Sequence, residues 1–315
     1  MSPPLHVPVI SIAIDPKTEA DRTNLDRGLQ HLRAEDPTLQ VRTTSNGKVV
    51  VEATGEHHLE IVIDRLKREF HVEALVGRPR ILYKEALTEP ADGESKYVAQ
   101  GHYGHVKVHL FPAPPGAGYT FENRILSNSI PERFLKSIEE GLDESRGHGV
   151  INGYPVDDVR VELYDGSYHD ADSTEQAFKT AAAMAFTDAA RKSKPVLLEP
   201  VMRVIVTVPQ EFLGEVIGNL SQRRSQIESQ DVRGGTTIVH ACAPMSAMWG
   251  YATDLRGRTR GRATHTMHFD RYERAPDNPD LPDDDRGSFV GAPRRPAPTG
   301  KDFRVALPEP DDQNL

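Results

Sequence analysis

The sequence predicts an α+β chain in which two ferredoxin-like βαββαβ domains flank a third α+β domain of different order, with a disordered tail behind them. Three observations predict it. The order strand, helix, strand, strand, helix, strand is written twice, over residues 8–83 and 200–274. Prolines at 79, 90, 195 and 200 punctuate both borders of the intervening section, residues 84–199, where a change of chain direction is expected. Beyond Ala275 the chain turns to Pro, Asp, Gly and Arg with few apolar residues, so residues 275–315 are expected to form a flexible acidic, Pro-rich tail. Residues 1–7 are left as a linker.

In the first unit PVISIAI is a buried strand, and Thr18 with Asp21 caps a helix whose Leu25, Leu29 and Leu32 fall at i, i+4, i+7. Asp36 and Pro37 end that helix. LQVRT and KVVVEA are two strands joined at Asn46-Gly47, a hairpin signal. A second helix starts near Glu56 with Leu59, Val62, Ile63, Leu66 and Phe70 on one face, and VEALV is the fourth strand. The middle section offers strands near Lys107 to Phe111 and Val159 to Tyr164. It also offers two helices, one entered at Pro131 with Leu135, Ile138 and Leu142 inward, the other starting after Asp172. The last unit begins with VMRVIVTV and a helix carrying Leu213, Val216, Ile217 and Leu220. Strands QIESQD and TTIVHAC follow around Gly234-Gly235, then a helix with Met248, Ala252 and Leu255, then THTMHFDRY.

The 315 residues suit two or three domains, and 37% hydrophobic with 27% charged residues is enough to build their cores. The longest apolar stretch, Ala177 to Ala190, is broken by Lys179, Thr180, Thr187 and Asp188, which argues against a membrane span. The start has no basic segment before its short β-branched run, unlike a signal peptide. With the lone Cys242 and no Cys-x-x-Cys pair, a reducing cytoplasm fits and no structural metal is implied. A net charge of -9 argues against a protein that coats nucleic acid through uniform positive charge, yet Arg256, Arg258, Arg260 and Arg262 cluster near one helix end. No G-x-x-x-x-G-K-[ST] loop is present: Gly47-Lys48 and Gly300-Lys301 lack the upstream glycine and the following hydroxyl, so no nucleotide cofactor is assigned.

The segment GEHHLEIVIDRLKREFHVEALVGRP, with PVISIAIDPKTEADRTNLDRGL before it, is similar to the third domain of elongation factor G. LYDGSYHDADSTEQAF and KPVLLEP resemble its fourth domain, and EVIGNLSQRRSQI with MWGYATDLRGRTRGRATHTMHF its fifth. The resemblance implies the carboxy-terminal half of that factor, domains III, IV and V, without the GTPase domain and domain II, so that GTP would enter only through a missing or separate domain. It implies a middle domain like the second domain of ribosomal protein S5. As partners it implies the ribosome, through RNA and proteins near the factor-binding centre and the A site, and a separate GTPase polypeptide if the factor is split. Three functions stay open: a ribosome-binding module acting in or regulating translocation, half of a split factor, and a gene remnant, since Met1 falls where the linker from domain II would run.

The same resemblance places the loop with Tyr168, His169 and Asp170 at an RNA-facing tip, together with Gly101, His102 and Tyr103 of a neighbouring loop. Asp172 and Glu175 have the spacing of a capping box that would brace the first loop and leave Tyr168 and His169 projecting. The second loop, KYVAQGHYGHV, departs from the family pattern, in which a longer Gly-rich stretch precedes the equivalent of Gly101 to His105. Arg223 and Arg224 follow a helix with a complete apolar face and are expected to point outward at phosphates, as are Arg256, Arg258, Arg260 and Arg262. Of two other chemistries weighed, His102, His105 and His109 have no carboxylate or Cys evidently placed to complete a metal site. Ser167, His169 and Asp170 lie too close in sequence to converge as a hydrolase triad. His57 and His58 stand in a helix where the family has Leu before the His.

Overall fold

The computed structural model describes residues 7–44, 47–99, 101–125 and 129–276. The expected tail and linker therefore lie outside the described residues, apart from Val7, Ala275 and Pro276.

The first unit runs β1 (Ile10–Pro16), α1 (Glu19–Glu35), β2 (Gln40–Thr43), β3 (Val49–Ala53), α2 (Glu56–Arg68), β4 (Ala74–Val76), with a short β5 (Arg80–Ile81) after it. Its sheet has the order β2-β3-β1-β4, and β5 also pairs with β1. This is the split βαββαβ arrangement expected from the sequence. Ile10, Ile12 and Ile14 of β1 and Leu25, Leu29 and Leu32 of α1 are buried together. The α1 cap is as read: Thr18 Oγ1 accepts from the Asp21 N–H at 3.1 Å. Asp21 also accepts from the Glu73 N–H at 2.9 Å, which ties the start of the helix to the entry of β4. Of the Asn46-Gly47 turn, Asn46 lies outside the described residues, while Gly47 takes φ +79° and β2 pairs with β3 from Thr43 opposite Val49.

The middle unit contains β6 (Lys84–Ala86), β7 (Ala91–Ala99), β8 (His102–Pro112), β9 (Tyr119–Asn123), α3 (Leu135–His148), β10 (Val159–Ser167) and α4 (Glu175–Lys192). Pro131 precedes a single 3-10 turn, Glu132–Phe134, that leads into α3. The sheet order is β7-β8-β10-β9, with β9 parallel to β10 and the other pairs antiparallel. Strands β7 and β9 are additions to the expected two. In β7 the buried positions are Gly93 and Ser95 rather than large apolar residues, because α4 lies directly on them. A Cβ on Gly93 would sit 2.0 Å from the Ala185 carbonyl oxygen. The facing side of α4 is accordingly small, with Ala177, Ala181, Ala185 and Ala189 at four-residue intervals and all buried.

The last unit is β11 (Val196–Pro209), α5 (Leu213–Gln222), β12 (Gln226–Arg233), β13 (Thr236–Pro244), α6 (Tyr251–Arg258) and β14 (Thr264–Arg274). Its sheet order, β12-β13-β11-β14, repeats that of the first unit. Gly234 and Gly235, at φ +54° and +83°, make the tight turn between β12 and β13. The expected border after Glu199 falls inside β11, whose Val196 to Leu198 pair with β6, so that β6 is a fifth, short strand of the last sheet. A proline tolerates this because Pro200 stands beside the register shift at Val201.

The first and last units share one buried apolar cluster, while the middle unit has its own. Glu56 at the start of α2 accepts from the Gly250 N–H at 3.0 Å, and Tyr272 Oη donates to the Leu82 carbonyl at 2.9 Å. The middle unit is anchored by Glu85. Its carboxylate, 0% exposed, accepts from the N–H groups of Val150 at 2.6 Å, Asn152 at 2.9 Å, and Ile151 and Tyr154. Among the described residues no helix is long and apolar enough to cross a membrane.

Candidate functional site

The two loops that carry the tip residues meet at one end of the middle sheet. The Tyr103 N–H donates to the Asp172 carbonyl at 2.8 Å, and Tyr103 bridges to Ser173 in parallel. The β7–β8 connection has two residues: Gln100, outside the described residues, and Gly101, exposed at φ +77°. His102, His169 and Asp170 are exposed around it. The Tyr103 and His169 rings lie 4.1 Å apart between centroids and 49° between planes.

Two expectations for this tip are corrected. Tyr168 is half-buried and packs against the middle core, so it does not project with His169. The cap of α4 is Thr174 rather than Asp172: the helix starts at Glu175, and Thr174, extended at φ -129°, accepts from the Ala177 N–H at 3.2 Å. Asp172 lies two residues too early for that role, and its carbonyl is spent on Tyr103. The loop is braced by Ser173, whose Oγ accepts from the His169 N–H at 2.9 Å while its own N–H donates to the His169 carbonyl at 3.0 Å.

Strand pairing also supplies carboxylates that residue spacing did not show. Glu94 of β7 lies 2.8 Å from His105 Nε2, and Asp92 pairs with His109, whose ring stacks on Tyr164 at 3.8 Å. The hydrogen bond from His105 is the main reason that the Glu94 carboxyl is held below its ordinary range. Among the described residues no group of three or more potential ligands gathers for a metal. His58 is likewise partnered at both ring nitrogens, by Thr54 at 3.1 Å and Asp36 at 3.1 Å, which lets a half-buried imidazole occupy its helix position.

The arginines divide into two groups. Arg223 does not point outward. Its guanidinium donates to the carbonyls of Ala247 at 2.7 Å and Trp249 at 3.1 Å and to Asp254 at 3.2 Å, which closes the segment before α6 onto α5. Arg224 makes a two-pronged pair with Glu199, at 2.9 and 3.0 Å, so its donors are also used within the fold. Arg256, Arg258, Arg260 and Arg262 are exposed at the end of α6 and the turn after it; Arg224 is exposed too, but its partner Glu199 is buried, whereas Asp254 and Glu211 are not. Arg258 pairs with Asp254 at 2.8 Å and Arg262 pairs with Glu211, while Arg260 sits in the turn at φ +52°. Exposed pairs of this kind are weak, so these side chains remain available to a polyanion.

Compared with protein families, residues 5–78 match Elongation Factor G domain III, 79–194 match Elongation factor G domain IV, and 196–281 match the Elongation factor G C-terminus. The chain belongs to the elongation factor G family. Among solved structures, one from Thermus thermophilus is 35% identical with a TM-score of 0.65, over 86% of this chain and 41% of that one. The chain therefore spans less than half the length of that relative. The tip lies in the domain IV match, and the exposed arginines lie in the match to the elongation factor G C-terminus.

Proposed function

We propose that this chain is a ribosome-binding elongation factor G-like module of the cytoplasm, acting in or regulating translocation. The observation that carries the reading is the assembled end of the domain IV unit. Two loops locked by the Tyr103–Asp172 hydrogen bond present His102, His169 and Asp170 to solvent, with the His169 ring against Tyr103. Such an end offers stacking and hydrogen bonding to unpaired RNA bases. The exposed arginines after α6 supply a second, electrostatic contact to ribosomal RNA near the factor-binding centre. Co-sedimentation with ribosomes at rising salt tests this. The chain should pellet in a salt-sensitive manner, and Arg258→Glu with Arg260→Glu should weaken pelleting by roughly tenfold or more. Equal pelleting of the charge-reversed chain counts against the reading.

A second reading, half of a split factor, is favoured by Leu75 and Val76, which are 66% and 44% exposed on the edge strand β4. Exposed apolar residues on an open sheet edge suit a protein partner. In that case a separate GTPase polypeptide mixed with this chain should show ribosome-stimulated GTP turnover that neither shows alone, and no stimulation with the proper partner sinks it.

A further inference from the structure

Beneath the tip runs a chain of four side chains. Glu94 Oε1 lies 2.8 Å from His105 Nε2, His105 Nδ1 lies 2.8 Å from Ser167 Oγ, and Ser167 Oγ lies 2.6 Å from Tyr103 Oη. The carboxylate only accepts, so His105 carries a proton on Nε2. In the neutral ring Nδ1 then accepts from Ser167, and Ser167 accepts from Tyr103, so each link has one donor and one acceptor. A chain polarised in one direction strengthens its members, and His105, 7% exposed, has little access to competing water.

Carboxylate, imidazole and hydroxyl occur in this order in serine hydrolases. Here, however, the hydroxyl's second partner is the Tyr103 phenol at 2.6 Å. The chain ends on a ring, and that ring meets His169 at the surface.

We propose that Glu94, His105 and Ser167 are positioning residues that hold the Tyr103 ring against His169, so that the exposed His169 ring, backed by Tyr103, is a fixed platform on which an unpaired RNA base stacks. The proposal rests on the reading that this end of the domain IV unit faces A-site RNA. Its physical content is preorganisation: a ring fixed before binding loses less freedom when a base arrives.

The test uses the full chain and ribosomes programmed with a messenger RNA that carries 2-aminopurine in a vacant A-site codon, whose fluorescence is quenched by stacking. The wild-type chain should quench it. Ser167→Ala breaks the relay while leaving the exposed arginines intact; it should stay folded with a thermal midpoint lowered by a few degrees and keep its co-sedimentation, yet quench roughly threefold to tenfold less per bound chain. Ser167→Thr, which restores a hydroxyl, should recover most of the signal, and His169→Ala should lose it. Wild-type pelleting without quenching, or quenching by Ser167→Ala equal to wild type, overturns the platform while the ribosome-binding reading stands. Failure of the wild-type chain to pellet overturns both.

Discussion

Glu85 shows how much a single side chain decides here. A buried carboxylate costs heavily unless its oxygens are filled, and four backbone N–H groups of residues 150–154 fill them. Glu85→Gln replaces an acceptor with an NH2 group facing those donors, and urea denaturation should show a loss of about 2–4 kcal/mol. A loss below about 1 kcal/mol would contradict this account. His265 gives a pH signature. Burial first, then the charges of Arg256 and His57, lower its pKa below 6.5, and its ring meets Tyr251 edge-on at 5.2 Å. The unfolded chain therefore binds this proton more readily, and the stability held above pH 6.5 is lost as pH falls from there to the folded value. The thermal midpoint should fall over that window, and His265→Phe should flatten the fall; an unchanged slope would remove His265 from the explanation. At this scale sequence reasoning found the exposed arginines and His169 but misplaced Arg223, Tyr168 and Asp172. Arg223 depends on partners from a distant segment, the Ala247 and Trp249 carbonyls, and Tyr168 on the middle core, and spacing along the chain carries no trace of such partners.

Among the elements, α4 and β7 explain each other. The alanine face of α4 lets the helix approach the sheet so closely that Gly93 has no room for a side chain. Gly93→Ala must push the Ala185 backbone away and should cost about 1–3 kcal/mol, read as a lower thermal midpoint. An unchanged midpoint would mean that the helix sits farther out than described. The same packing hid β7 from sequence reading. Strand signals come from alternating large apolar residues, and in β7 the inward places fall to Gly93 and Ser95. By comparison β1, β3 and β11 carry dense β-branched patterns and were legible, as were the helices with regular leucines. The cap of α4 was misread by two residues because Asp172 and Thr174 are both capping types, and only the backbone turn decides between them.

On the scale of the whole molecule, repetition of one topology around a different middle unit was visible in the sequence. The packing of the first and last units into one cluster was not, since contacts such as Glu56 with Gly250 join residues 194 positions apart. Burial raises the Glu56 pKa, and the Gly250 N–H opposes that shift by favouring the charged form. Glu56→Ala should therefore make the Gly250 amide exchange its hydrogen about tenfold faster, and unchanged exchange would mean that this contact holds nothing. The proposed function gives the molecule two RNA contacts, one on the domain IV unit around His169 and one after α6 around Arg260. Chemical footprinting of ribosomal RNA tests that claim most directly. The account predicts protection in two places at once, the decoding side of the A site and the large-subunit factor-binding region, with His169→Ala losing only the first. Absence of protection in both places, at concentrations where the chain fully pellets with ribosomes, would contradict it.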